Sequence, residues 1–297
     1  MQNTARSIGS GQGPRLLPRN RHGDGSGTRI VMVAGFRGEE ISGVHTLGMF
    51  HQHLIQWSNA LTGTLDLMPV IGRLGPDGIG HMATRRGDGV LNQATQDELV
   101  QELSGADLVI HLNDEDPGLN EVPQVHLLQH RQSALLRVCE AANVDVVCLR
   151  RRFVPGSLAE RLEAASIPVM ELHTGCGLRA DRQRQMIRGL TTLAEALGVL
   201  GGPHLGSNLS TPRPRVVDEV ELRSVVSPVS GFFFPMQREC WSDVWEGDVL
   251  GSLFDPQNGA ELSKVYAPEQ GSVLALRTGS FVDAGSLLAR IAPALDE

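Results

Sequence analysis

Arg29-Ile30-Val31-Met32-Val33-Ala34-Gly35-Phe36-Arg37-Gly38-Glu39-Glu40 is the stretch that decides the fold. Its first six residues are apolar apart from Arg29 and rich in β-branched side chains, and they stop at a glycine, which predicts a strand buried on both faces. The Gly35–Gly38 loop then turns into a helix. Glu39 and Glu40 suit the positive end of that helix, which is expected from about Glu40 to Ala60. A strand running through a glycine loop into a helix is the opening of a β–α–β unit, and the same alternation continues outward. Strands are expected at Thr64–Ile71, Ala106–Leu112, Val144–Leu149 and Pro168–Leu172. Helices are expected at Asp97–Leu103, over residues 124–142, at Ser157–Ala165 and at Arg179–Leu197. Residues 72–93 hold six glycines and no clear periodicity, and a loop that long usually has a function. The fold class is therefore α/β, a mostly parallel sheet flanked by helices.

Residues 201–214, dominated by Gly, Pro, Ser, Asn and Thr, read as a linker. Beyond them come only short strand-like runs, at Glu221–Val226, Gly231–Phe234, Val249–Phe254, Lys264–Ala267, Ser272–Leu276 and Leu287–Ile291. The expected organisation is a disordered leader over residues 1–28, an α/β domain over 29–200, the linker, and an all-β barrel or sandwich over 215–297.

Composition narrows the function. A net charge of −8 and a pI near 5.7 disfavour nucleic-acid binding, which needs clustered positive charge. Apolar runs such as Ile30–Gly35 fall far short of the ~20 residues that cross a bilayer, so no membrane span is expected. The leader lacks the apolar core of a secretory signal. Cys139, Cys148, Cys176 and Cys240 include no Cys-x-x-Cys pair and read as reduced thiols, which implies a cytoplasmic location. The expected partner is a small-molecule substrate, and a homo-oligomer is left open.

Several stretches, taken in order, resemble the succinylglutamate desuccinylase/aspartoacylase family, which is similar to zinc carboxypeptidases. Gly35-Phe36-Arg37-Gly38-Glu39-Glu40 stands where the family reads Gly-x-His-Gly-x-Glu. Asp88-Gly89-Val90-Leu91-Asn92-Gln93 resembles its Asp-x-x-Leu-Asn-Arg, and Ala106-Asp107-Leu108-Val109-Ile110-His111-Leu112-Asn113 its Ala-Asp-x-x-x-Asp-Leu-His. Val169-Met170-Glu171-Leu172 resembles the strand bearing its catalytic Glu. In the last eighty residues, Glu246-Gly247-Asp248-Val249-Leu250-Gly251 and Val282-Asp283-Ala284-Gly285 resemble its small β-domain. The likeness spans about residues 29–293 and implies a carboxypeptidase-like fold.

The resemblance also implies a chemistry: zinc held by His, Glu and His, with a Glu that activates a water against the amide of an N-acylated amino acid. Residue by residue, the first His position is Arg37, the Glu is kept as Glu40, and the second His position is Asn113. An arginine has no lone pair to give a metal, so Arg37 would instead form an ion pair with Glu40 or act as an organic electrophile. A rewired alternative also exists. Residues i and i+2 of a strand share a face, so His111 and Asn113 share one and His173 shares one with Glu171. Glu40, His111 and His173 would then form a His/Glu set suited to zinc.

Glu171 aligns with the family's general base and stands at the end of a strand, where α/β sheets place their sites. Asn92 matches the family's substrate-clamping Asn, and Gln93 replaces the adjacent Arg. Arg85 or Arg86 corresponds to its upstream substrate-binding Arg. Cys176, in a glycine-rich loop near His173, is a weaker nucleophile candidate. Lys264, the single lysine, reads as a surface residue, and His51 and His53 as solvated helix residues. The expected function is a divergent amidohydrolase, the alternative a metal-free pseudoenzyme that binds an anionic metabolite or a partner protein.

Overall fold

The computed structural model describes residues 2–9, 14–36, 41–71, 93–113, 116, 118–175, 180–201, 213–236 and 240–294. The chain divides into two compact units. One comprises Met1–Asp114, Pro123–Thr174 and Leu178–Arg215, the other Glu115–Val122, Gly175–Gly177 and Val216–Glu297.

In the first unit, β1 (Gln2–Gly9) and β2 (Pro14–His22) form an antiparallel hairpin. These residues belong to the leader expected to be without structure. They order because β2 extends the main sheet, pairing with β4 (Thr64–Met68), and because Asp66 of β4 accepts hydrogen bonds from Arg21 at 2.7 and 2.9 Å. Next come β3 (Arg29–Val33), α1 (Ile41–Ile55), α2 (Gln93–Leu103) and β5 (Leu108–Asn113). They are followed by β7 (Gln124–Leu128), α3 (Gln132–Glu140), β8 (Val146–Arg150), α4 (Leu158–Ala164), β9 (Val169–His173) and α5 (Ala180–Ala196). The intervening β6 belongs to the second unit.

The first eight of the sheet's nine strands lie in the order β1-β2-β4-β3-β5-β9-β7-β8, and the ninth, β10 (Arg215–Asp218), starts where the first unit ends. β4, β3, β5 and β9 are mutually parallel, while β7 runs antiparallel to β9 and parallel to β8. One face of the sheet is apolar throughout: Ile30, Met32, Ile110, Leu112, Val125, Leu127, Met170 and Leu172 pack under α1, α3 and α5. The other carries Val31, Val33, Val109 and Val169, packed against Leu99 and Leu103 of α2 and Leu158 and Leu162 of α4. Ser157 caps α4 by accepting from the Glu160 amide at 3.1 Å. At the far end of α5 the chain leaves through Gly198, whose φ of 70° needs a residue without Cβ.

One expected element is wrong. Residues 124–142 are not a single helix: the five residues of β7 are all buried in the sheet, and α3 begins only at Gln132 after a short 3-10 turn at Gln129–Arg131. The long loop at 72–92 and the linker residues 202–212 lie outside the described residues.

The second unit is all-β. Its first sheet orders β11 (Arg223–Val226), β18 (Leu287–Pro293), β16 (Gly271–Arg277) and β13 (Asp243–Val244), with β6 (Leu119–Glu121) also paired to β16. The other orders β15 (Glu261–Tyr266), β14 (Val249–Phe254), β12 (Gly231–Pro235) and β17 (Ser280–Val282). Phe233, Leu250, Leu253, Val273, Leu288 and Ile291 form its core. Lys264 is exposed on β15, as a surface residue should be. Among the described residues no helix is long and apolar enough to cross a membrane.

Candidate active site on the sheet

Strand register assembles the site. In the parallel pair β5/β9, His111 stands opposite Glu171 and Asn113 opposite His173. In the antiparallel pair β7/β9, His126 stands opposite Glu171 and Gln124 opposite His173. Register partners share a face. Two rows of polar side chains therefore cross three neighbouring strands, His111–Glu171–His126 and Asn113–His173–Gln124. They lie beyond Val31, Val109 and Val169, towards the C-terminal ends of β5 and β9, where open α/β sheets place ligands.

All six side chains are buried; Glu171 is 2% exposed, His173 and His126 1% each. Glu171 Oε1 lies 3.6 Å from His111 Nδ1 and accepts from Asn113 Nδ2 at 3.4 Å. Burial alone would raise the Glu171 carboxyl above the usual carboxylate range. The positive potential of His111, His173 and Arg150 outweighs it, and the group is held below that range, ionised. Arg150, at the end of β8 and itself buried, donates to His126 Nδ1 at 3.1 Å. The His126 and His173 rings lie 3.9 Å apart between centroids, tilted by 39°. Phe36 stands edge-on to His111 at 6.2 Å. At the rim, the Ser42 hydroxyl of α1 hydrogen-bonds that of Thr174, just after β9.

Of the residues expected from sequence, the structure brings Glu171, His111, Asn113 and His173 together. Arg37, Glu40, Arg85, Arg86, Asn92 and Cys176 lie outside the described residues, and of Gln93 only its place at the start of α2 is described. His126, Arg150 and Gln124 are site residues that sequence reasoning missed. His126 and Gln124 were hidden by reading their strand as a helix. His51, expected to be solvated, is half-buried, and its Nδ1 lies 2.9 Å from Nε2 of the buried His22. His45 of α1 reaches Gln183 of α5 at 2.7 Å, away from the site.

A metal fits this donor set better than it fits the positions the resemblance assigns. Arginine cannot ligate at 37, and an amide stands at 113. His126, Glu171 and His173, by contrast, each offer one ligand atom within 4.8 Å of the others.

No protein-family profile matches the chain, and no curated protein does. Solved structures do. An aspartoacylase family protein from Mesorhizobium loti is 18% identical with a TM-score of 0.74, over 95% of this chain and 91% of that one. The ectoine utilization protein of Ruegeria pomeroyi, in a product-bound structure, is 18% identical with a TM-score of 0.76, over 98% and 94%. A succinylglutamate desuccinylase/aspartoacylase from Rhodobacter sphaeroides is 18% identical with a TM-score of 0.75, over 99% and 94%. Over nearly its whole length, the chain has the fold of succinylglutamate desuccinylase/aspartoacylase family proteins.

Proposed function

We propose that this chain is a divergent amidohydrolase that cleaves the acyl group from a small N-acylated amino acid or related amide. The observation that carries the reading is Glu171: an ionised carboxylate, almost fully buried, set among three histidines at the C-terminal end of a sheet whose fold neighbours are named as acylases. A buried carboxylate held ionised is a proton acceptor available at neutral pH.

In this reading Glu171 takes a proton from water as the oxygen attacks the amide carbon. The C–N bond then breaks, the proton passes to the departing nitrogen, and a carboxylate and an amine are released. His111 and Asn113 orient the carboxylate through Oε1. Arg37, standing where the family has a metal-ligating histidine, or a rewired metal polarises the carbonyl, while Asn92 with Arg85 or Arg86 positions the substrate, as the family resemblance implies for those positions. A zinc ion, when bound, would supply Lewis-acid polarisation and a water of lowered pKa. The set able to hold one is His126, Glu171 and His173.

A second reading keeps the fold and loses turnover. It is favoured by Asn113, an amide where the family places a metal-ligating histidine: the chain would then bind an anionic metabolite or a partner protein. Release of free amine from a panel of N-acetyl and N-succinyl amino acids separates the two. Catalytic release from at least one member supports the hydrolase. Saturable binding without release, by calorimetry, supports the binder and sinks the hydrolase.

A further inference from the structure

His126, Glu171 and His173 come from two adjacent strands, and none of them occupies a position that the resemblance gives to zinc. Two imidazoles and a carboxylate are the ligand types that zinc-class ions take in three-ligand sites with an open fourth position. All three are buried, so their orientation is set by packing and register. The His126 and His173 rings lie 3.9 Å apart between centroids, so both present ring nitrogens to the same buried space as Glu171. Beside them, Gln124 is 0% exposed and faces His173 across the strands. Neither of its amide atoms has a hydrogen-bond partner among the described residues. A buried amide in that state is ready for an ion's bound water.

We propose that His126, Glu171 and His173 bind one divalent transition-metal ion of the zinc class, a site moved across the sheet from the one the fold neighbours' family is expected to use. Arg150 is the built-in competitor. Its guanidinium donates to His126 Nδ1 at 3.1 Å, so the neutral ring carries its proton on Nε2. Ligation through Nδ1 takes that acceptor away from Arg150, and ligation through Nε2 moves the ring proton to Nδ1, which breaks the same hydrogen bond; in either case a positive charge must tolerate the ion nearby. A bound ion also makes Glu171 a ligand, which competes with its service as a free base.

The test uses the full chain, stripped with chelator and titrated with Co²⁺ and Zn²⁺. Readouts are metal content after gel filtration and the visible absorption of the cobalt form. The expected result is one ion per chain, with cobalt bands of low coordination number. His126→Gln, His173→Gln and the near-isosteric Glu171→Gln each weaken binding by about tenfold or more, while His51→Gln, in the half-buried His22–His51 pair, leaves it unchanged. Arg150→Met, which removes the competing cation and no ligand, tightens Co²⁺ binding several-fold. Circular dichroism checks that each variant is folded. The proposal is overturned if the unaltered chain takes up no ion, or if the three ligand variants bind as well as it does. Its fate is separable from that of the hydrolase: turnover by stripped protein that takes up no ion overturns the site alone, and one bound ion without any turnover leaves the site standing.

Discussion

At the residue scale, two buried acid–base groups are handled in opposite ways. Glu171 is kept charged by the positive groups around it, whereas His22 is kept neutral. Burial lowers the His22 pKa to about 4, with His51 adding to the effect and Asp66 opposing it. Above the ordinary imidazole value of about 6.5, His22 is neutral in both folded and unfolded chains and contributes no pH dependence. As pH falls from there towards 4, the unfolded chain binds a proton that the folded chain refuses. Stability therefore drops over that window, by at most about 3 kcal/mol, and levels off below it. His51, also lowered by burial, adds in the same direction, while Asp66, despite its burial, is held below the usual carboxylate range by Arg21 and Arg29. Urea unfolding at about pH 7 and about pH 4.5 should show this loss, and His22→Gln should remove most of the difference. Equal pH sensitivity in both proteins would assign the acid loss to other groups.

At the scale of elements, Gly189 in the middle of α5 offers a sign test. By helix propensity alone, Gly189→Ala should stabilise by about 1 kcal/mol. A Cβ there would collide with the Ala142 carbonyl oxygen, a backbone atom that cannot swing away. The contact is pinned on both sides, Gln185 donating to the Asn143 carbonyl at 2.9 Å and Asn143 to that of Gln185 at 3.2 Å. Overpacking therefore wins, and the variant should lose about 1–3 kcal/mol. A rise in its thermal midpoint would contradict this packing. The same scale explains what the sequence conceals. The strands β3, β5, β8 and β9 were legible because their apolar runs end in glycine or polar residues. β7 was not: Pro123 opens it as it would a helix, and Leu128, Leu135, Leu136 and Cys139 then fall at helical spacing, so strand and helix merge into one periodic run. Burial decides between them, since Gln124 and His126 point into the sheet. Losing β7 meant losing His126.

Across the whole molecule, fold class and the change to an all-β second unit follow from period and composition, and the likeness to the acylase fold rests on short motifs spread over most of the chain. The site is only half legible. Glu171, His111, Asn113 and His173 come together because β5 and β9 are parallel neighbours, as the order of strands and helices suggests. His126 and Arg150 join them only because β7 inserts antiparallel beside β9 and carries β8 with it, a choice of topology that no local pattern encodes. If this buried carboxylate acts on an amide, the hydrolysis of N-acylated amino acids by the unaltered chain and by Glu171→Gln must differ. Amine release is expected from the first and a kcat lower by about 10²–10⁴-fold from the second, with the same circular dichroism spectrum. Equal rates in the two proteins would contradict it.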